Sequence, residues 1–139
     1  MSQYFRTGDR YLWNPSNRVG RLFAQLTETF SAVGGLPAGL QDTGADEYMI
    51  DLPVFAAFID NLTRQYLGSS HAILRSLQEG YLVTALVLVD RAGGQVAALS
   101  EPIGLDPRDL SVGADGVSPL GDVARLRELA AENSRSMPR

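Results

Sequence analysis

Few side chains of this sequence could carry out acid–base chemistry. His71 is the only histidine, and the carboxylates Asp46, Glu47 and Asp51 precede it by 20 to 25 residues. A carboxylate can polarise a histidine for general acid–base catalysis, and carboxylate oxygens can also bind a divalent cation. The spacing fits no calcium loop, and a helix cap explains Asp51 equally well. These four residues are the catalytic candidates, the alternative being capping and surface roles, and we expect no metal site.

Several classes of chemistry are excluded by composition. The chain has no cysteine, and its twelve basic residues are all arginine. Thiolate nucleophiles, Schiff-base lysines and the lysine of a phosphate-binding loop are therefore absent. The pairs Gly34-Gly35 and Gly93-Gly94 fit helix ends and do not fit a dinucleotide-binding turn. We expect no cofactor.

The N-terminal stretch carries residue types that are common in protein interfaces. Its candidate binding residues are Arg6, Arg10, Tyr11 and Trp13, and Tyr, Trp and Arg are enriched among interface residues that contribute most to affinity. Gly8 predicts a turn between two strands, and alternation would place one strand face in solvent. Trp13 could instead pack on the first turns of the following helix or in the core, and the sequence favours this alternative.

A second group of candidates lies on a long apolar segment. Tyr81 and Thr84 could line a small pocket near His71, although core packing explains both residues as well. Residues 81–89 are apolar all round, which is typical of a buried helix or a buried strand. The run from His71, in which Gly80 is the only helix breaker, and the Gly93-Gly94 stop favour a helix. The strand alternative would pair this segment with residues 95–99.

Composition predicts one soluble domain. The chain has 139 residues, of which 45% are hydrophobic and 20% charged, so we expect a globular domain over residues 1–131 and a flexible tail over 132–139. A net charge of −4 argues against nucleic acid or an anionic membrane as partner. The polar N-terminus and the lack of an apolar run of about 18 residues favour a cytoplasmic location.

The spacing of apolar residues predicts the elements that position these candidates. Asn14 or Ser16 caps a first helix, with Pro15 in its first turn. Its apolar face is Val19, Leu22, Phe23, Leu26, Phe30 and Val33. Residues 36–48 read as a loop, Asp51 caps a second helix, and Ser70 caps a third that begins at His71. Residues 101–118 form a long loop rich in proline and glycine, and Ser118-Pro119 starts a short last helix. The fold class is thus mainly α (α+β), a bundle of three to four helices with an N-terminal β-hairpin.

Four phrases of the sequence, SQYF, LWNPSNRV, IDLPVFAAF and the stretch from SSHAILRSL to ALVLVDRAG, resemble a domain-of-unknown-function family of small proteins from high-GC Gram-positive bacteria. The resemblance covers the chain to about Gly94. It implies no activity and assigns no site residues.

These features support three hypotheses of function. The favoured one is a non-catalytic binding module, an accessory or immunity-type protein that acts through the hairpin and the 101–118 loop. The alternative is a small enzyme or small-molecule-binding protein with a pocket near the central helix. The third is self-association through residues 81–89, the apolar surface of which would then be covered by a second copy.

Overall fold

The computed structural model describes residues 2–106, 112–113, 116–117 and 122–139. In chain order its elements are β1 (Tyr4–Thr7), β2 (Arg10–Trp13), α1 (Asn17–Gly34), β3 (Leu40–Asp42), β4 (Glu47–Ile50), α2 (Leu52–Gly68), α3 (Ala72–Arg91), a 3-10 helix (Ala97–Ser100), β5 (Val112–Gly113), β6 (Gly116–Val117) and α4 (Val123–Arg135). Helices and an N-terminal hairpin are both present, which confirms the predicted α+β class.

The N-terminal hairpin is part of a larger sheet. The strand order is β2-β1-β4-β3, with β1 antiparallel to β2 and parallel to β4. The prediction of a loop over residues 36–48 was wrong, because β3 and the start of β4 lie there. Tyr48 and Ile50 alternate with half-buried neighbours, a period-two pattern too short to stand out from one sequence.

Helix α1 packs with a different face from the predicted one. Ser16 is the N-cap and accepts a hydrogen bond from Val19 N, so Pro15 precedes the cap and is not in the first turn. Val19, Leu22 and Val33, which the spacing places on the core face, are exposed. The buried residues are Gly20, Phe23 and Thr27, because α1 is rotated by roughly a quarter of a turn to put Phe23 among the aromatic rings of the sheet.

Helix α3 is the central element. Residues 81–89 are helical, so the strand alternative was wrong, and residues 97–100 form a 3-10 helix. His71, and not Ser70, is the N-cap. Helices α2 and α4 both pack against α3, and all of 81–89 except Thr84 is buried within the chain itself. The helix is long and apolar enough to cross a membrane, but half of it is buried in the structure, as in a core helix.

The C-terminal part closes the molecule. Helix α4 begins at Val123 and is capped by Asp122, the Oδ1 atom of which accepts a hydrogen bond from Ala124 N. The predicted start at Ser118-Pro119 lies outside the described residues. Within the predicted 101–118 loop, β5 pairs with β6. Of residues 132–139, predicted to form a flexible tail, those up to Arg135 are in α4, and Met137 is buried.

An aromatic cluster joins the sheet to α1 and α3. The ring of Phe5 stacks on Trp13 and on Tyr48, with centroids 5.1 and 4.8 Å apart. Phe23 of α1 meets Phe5 edge to face and stacks on Tyr81 of α3. The inner face of the sheet is thus fixed by core packing, which leaves its outer face to solvent.

Candidate functional site

The outer face of the sheet is the most distinctive polar and aromatic surface of the described residues. Tyr4 and Arg6 of β1 point away from the core, since Phe5 between them is fully buried. The pairing of β1 with β4 places Tyr4 beside Glu47. Arg6 lies between Tyr11 of β2 and Met49 of β4. We call these five residues, Tyr4, Arg6, Tyr11, Glu47 and Met49, the outer-face patch.

Contacts within the patch hold its side chains in one arrangement. The rings of Tyr4 and Tyr11 meet edge to face at 5.3 Å, although the two side chains are 37% and 49% exposed. Arg6 Nε donates to Glu47 Oε2 at 2.9 Å, and Tyr11 Oη donates to Glu47 Oε1 at 3.4 Å. Arg6 also donates to Gly8 O at 2.7 Å. Two exposed aromatic rings are therefore pre-ordered around one ion pair.

A β-bulge decides which hairpin residues belong to this surface. Phe5 pairs with Trp13 but Arg6 pairs with Tyr11, so Leu12 is an extra residue on β2. The bulge lets the consecutive residues Leu12 and Trp13 both face the core, where they are 0% and 4% exposed. Simple alternation would have put Tyr11 and Trp13 on one face. Trp13 is therefore a core side chain, and Tyr11 is the aromatic residue that β2 exposes.

Arg10, another binding candidate, has a structural contact. Its guanidinium donates to Arg91 O at 2.6 Å and to Ala92 O at 3.4 Å. These carbonyls lie at the C-terminal end of α3, where a positive charge also interacts favourably with the helix dipole. Arg10 therefore fastens the hairpin to α3 and borders the outer-face patch without being part of it.

The four catalytic candidates do not form a cluster. His71 is exposed, and its Nδ1 accepts a hydrogen bond from Leu74 N at 3.2 Å as the cap of α3. Glu47 is paired with Arg6, while Asp46 and Asp51 are exposed. Among the described residues no hydrogen bond joins His71 to these carboxylates, and no group of three possible metal ligands occurs.

Tyr81 and Thr84 contact different helices. Tyr81 Oη lies 2.6 Å from Thr27 Oγ1 of α1. Thr84 Oγ1 donates to Gly80 O and accepts from Asn133 Nδ2 of α4. One turn of α3 thus sends these two side chains in different directions, and they do not share a pocket with His71.

A cleft of about 740 Å³ lies elsewhere, between the C-terminal half of α3, residues 94–101 and α4. Its walls combine apolar and polar side chains, and some of the polar groups have partners. Glu101 pairs with Arg64, Arg127 donates to Leu99 O, and Ser134 accepts from Arg91. The cleft is large enough for a small molecule, and the polar side chains of Asp90, Gln95 and Ser100 also line it.

Sequence reasoning placed Tyr4 on the aromatic hairpin but not among the candidate binding residues, missed Met49, and gave Glu47 a catalytic role. The signal that would have found them is the parallel pairing of β1 with β4, which brings together residues about 40 positions apart. Local periodicity does not contain this information.

Comparisons with known proteins locate the chain only at the level of a family. A family model matches residues 1–139, and its description is a family of unknown function. No curated protein and no solved structure matches the chain.

Proposed function

The chain belongs to DUF6086, a family of unknown function, and from its own residues we propose that it is a non-catalytic binding module that contacts a partner protein through the outer-face patch. The observation that carries the proposal is the exposed pair Tyr4 and Tyr11 packed around the Arg6–Glu47 ion pair.

The physical support is that these side chains are ordered before binding. Large aromatic groups contribute most to interface affinity, and they contribute more when little rotational freedom remains to be lost. The edge-to-face contact fixes both rings, and the hydrogen bond to Glu47 orients the Tyr11 hydroxyl. The net charge of −4 would speed the approach of a basic partner surface.

The first test places a photo-crosslinking amino acid at position 11 in the native host, with a control at the exposed Val33 of α1. We expect a discrete crosslinked protein from position 11 that is absent from position 33. The purified partner should then bind Tyr11→Ala about 10- to 30-fold more weakly, because a half-exposed anchor has been truncated. Tyr11→Ala should also cost about 1 kcal/mol of unfolding free energy, since it removes the ring contact with Tyr4 and the hydrogen bond to Glu47, which is too little to unfold the chain.

The control variant is Glu128→Ala, at an exposed position of α4 away from the sheet. Its affinity should match that of the unmodified chain. The proposal fails if positions 11 and 33 give the same crosslinks, or if Tyr11→Ala binds the partner with unchanged affinity.

The second candidate is binding of a small molecule in the cleft beside α3. The cleft has a volume of about 740 Å³, which is within the usual range for ligand sites. This volume favours the small-molecule candidate. Ala131→Trp would fill the cleft, whereas Glu132→Trp alters the next exposed residue, which does not line it. In a thermal-shift screen of metabolites, a ligand of this cleft should stabilise the unmodified chain and Glu132→Trp but not Ala131→Trp. Equal shifts in all three proteins would exclude the cleft.

A further inference from the structure

A groove of about 550 Å³ runs between α1 and β3, on the side of the sheet opposite to the outer-face patch. We propose that it binds an extended peptide strand of a partner protein, which adds to the sheet beside β3. This surface is separate from the outer-face patch, so the inference goes beyond the proposed function.

The two edges of the sheet differ. The edge at β2 is covered, because Leu12 O accepts a hydrogen bond from Arg91 Nη1 at 2.7 Å and Asn14 N donates to Pro138 O at 2.7 Å. The other edge is β3, the last strand in the order. An uncovered edge is a template for one more strand.

The register of β3 shows which of its groups are available. Thr43 N donates to Glu47 O and Asp51 N donates to Gly39 O, so residues 39, 41 and 43 bond towards β4. By the alternation of an antiparallel pair, the N–H and C=O groups of Leu40 and Asp42 point away from β4. No described residue bonds to these main-chain groups. Leu40 and Asp42 also line the groove, so a strand lying there would meet two residues with unused donors and acceptors.

The dimensions of the groove suit a short strand. The α1 wall extends from Arg21 to Ala32, which at about 1.5 Å per residue is roughly 16 Å. A strand rises about 3.3 Å per residue, so about five residues would fill this length. Small side chains, among them Ala24 and Ala38, leave room for alternate side chains of the peptide.

The charges of the groove indicate the chemistry of the occupant. Glu28 and Asp42 supply two carboxylates and Arg21 one guanidinium. A peptide with a lysine or arginine facing α1 therefore fits. The β3 strand of a second copy would bring another Asp42 into a groove that already has an acidic excess, so the charges favour a basic partner strand over self-association.

The test is selection of peptides from a displayed library of random heptapeptides, followed by fluorescence polarisation with the enriched peptides. Ala32→Trp fills the groove at an exposed position of α1, and Val33→Trp is its control on the neighbouring exposed position outside the groove. We expect Ala32→Trp to weaken binding at least tenfold and Val33→Trp to leave it unchanged. N-methylation of the peptide should weaken binding only at every second residue, since alternate N–H groups face β3.

A charge reversal checks the chemistry of the occupant. Glu28→Arg should weaken the binding of basic peptides. Glu132→Arg, on the exposed side of α4, should leave their binding unchanged. Tyr11→Ala should leave peptide binding intact, so that this inference and the proposed function can fail separately.

The proposal is overturned if no peptide is enriched, or if the enriched peptides bind Ala32→Trp as tightly as the unmodified chain. It is also overturned if the chain is a dimer in solution that Ala32→Trp converts to a monomer, because the occupant would then be a second copy.

Discussion

The hydroxyl groups of Thr27 and Tyr81 link α1 to α3 inside the core. Thr27 Oγ1 donates to Phe23 O at 2.9 Å, so the Tyr81 hydroxyl is the donor in its 2.6 Å contact with Thr27. Burial raises the pKa of Tyr81 far above its ordinary value, so the phenol keeps its proton at neutral pH. The two partners are therefore not equivalent, because only Thr27 has a second hydrogen bond.

This inequality gives a prediction for two conservative variants. Tyr81→Phe removes a donor and leaves Thr27 bonded to Phe23, so it should cost about 1 kcal/mol of unfolding free energy. Thr27→Val leaves the buried Tyr81 hydroxyl without an acceptor and should cost more, about 2–3 kcal/mol. Urea unfolding of both variants measures the difference. Equal costs, or a larger cost for Tyr81→Phe, would contradict the assignment of the donor.

At the scale of elements, the carboxylate of Glu79 in α3 bonds to side chains of both α2 and α4. Glu79 of α3 accepts a hydrogen bond from Tyr66 Oη of α2 at 2.5 Å, and two from Arg125 of α4 at 2.9 and 3.0 Å. The bonds from Arg125 lower the pKa of Glu79, while burial and then Glu79 raise the pKa of Tyr66 to about 12. The ionised form of Glu79 therefore adds to the apolar packing of α4, in which Leu126 is fully buried.

The contribution of the Glu79 carboxylate to stability should depend on pH. Because the pKa of Glu79 is lower in the folded state, its contribution is present above its unfolded pKa and is lost as pH falls through the folded value. Glu79→Gln should therefore cost about 1 kcal/mol at pH 7, where the exposure of Arg125 weakens the ion pair, and this cost should shrink as pH falls below the unfolded pKa of Glu79.

The control for this prediction is Glu128→Gln on the exposed side of α4. We expect the unfolding free energies of the unmodified chain and Glu79→Gln to approach each other between pH 7 and pH 3. The difference between the unmodified chain and Glu128→Gln should not change over this range. A difference between the unmodified chain and Glu79→Gln that is constant over this range would contradict the prediction.

At the scale of the whole molecule, the C-terminus covers the β2 edge. The Arg91 guanidinium donates to Leu12 O of β2, to Ser134 O and to Met137 O. Met137 is only 7% exposed. Desolvation lowers the pKa of Arg91, but the carbonyl oxygens around it stabilise its charge. Strand β2 and residues 134–137 are thus linked through Arg91 of α3.

Removal of residues 137–139 should destabilise the protein by about 2–3 kcal/mol, since it exposes the surface under Met137 and takes one acceptor from Arg91. Hydrogen exchange at the Asn14 amide, which donates to Pro138 O, should become faster. Removal of Arg139 alone keeps both contacts and is the control. An unchanged urea midpoint for the larger deletion would show that the C-terminus does not close the fold.

Part of the candidate site could be predicted from the residues alone. The turn at Gly8 and the Tyr and Arg residues around it predict a hairpin with an interface-like composition, and Tyr11 and Arg6 are in the patch. Trp13 and Arg10 are not in the patch. A bulge of one residue turns Trp13 inward, and the end of α3 engages Arg10, and neither effect is visible in a short window of sequence.

The sequence by itself determined the helices, the N-terminal hairpin and the excluded chemistries, because helix caps, apolar spacing and the lack of cysteine and lysine are local or compositional properties. Only the tertiary structure decided which face of α1 is buried, that Glu47 meets Arg6, and that β3 is left as an uncovered edge. These features depend on contacts between residues tens of positions apart. Such contacts are selected by the packing of the whole core, on which the register of every strand depends.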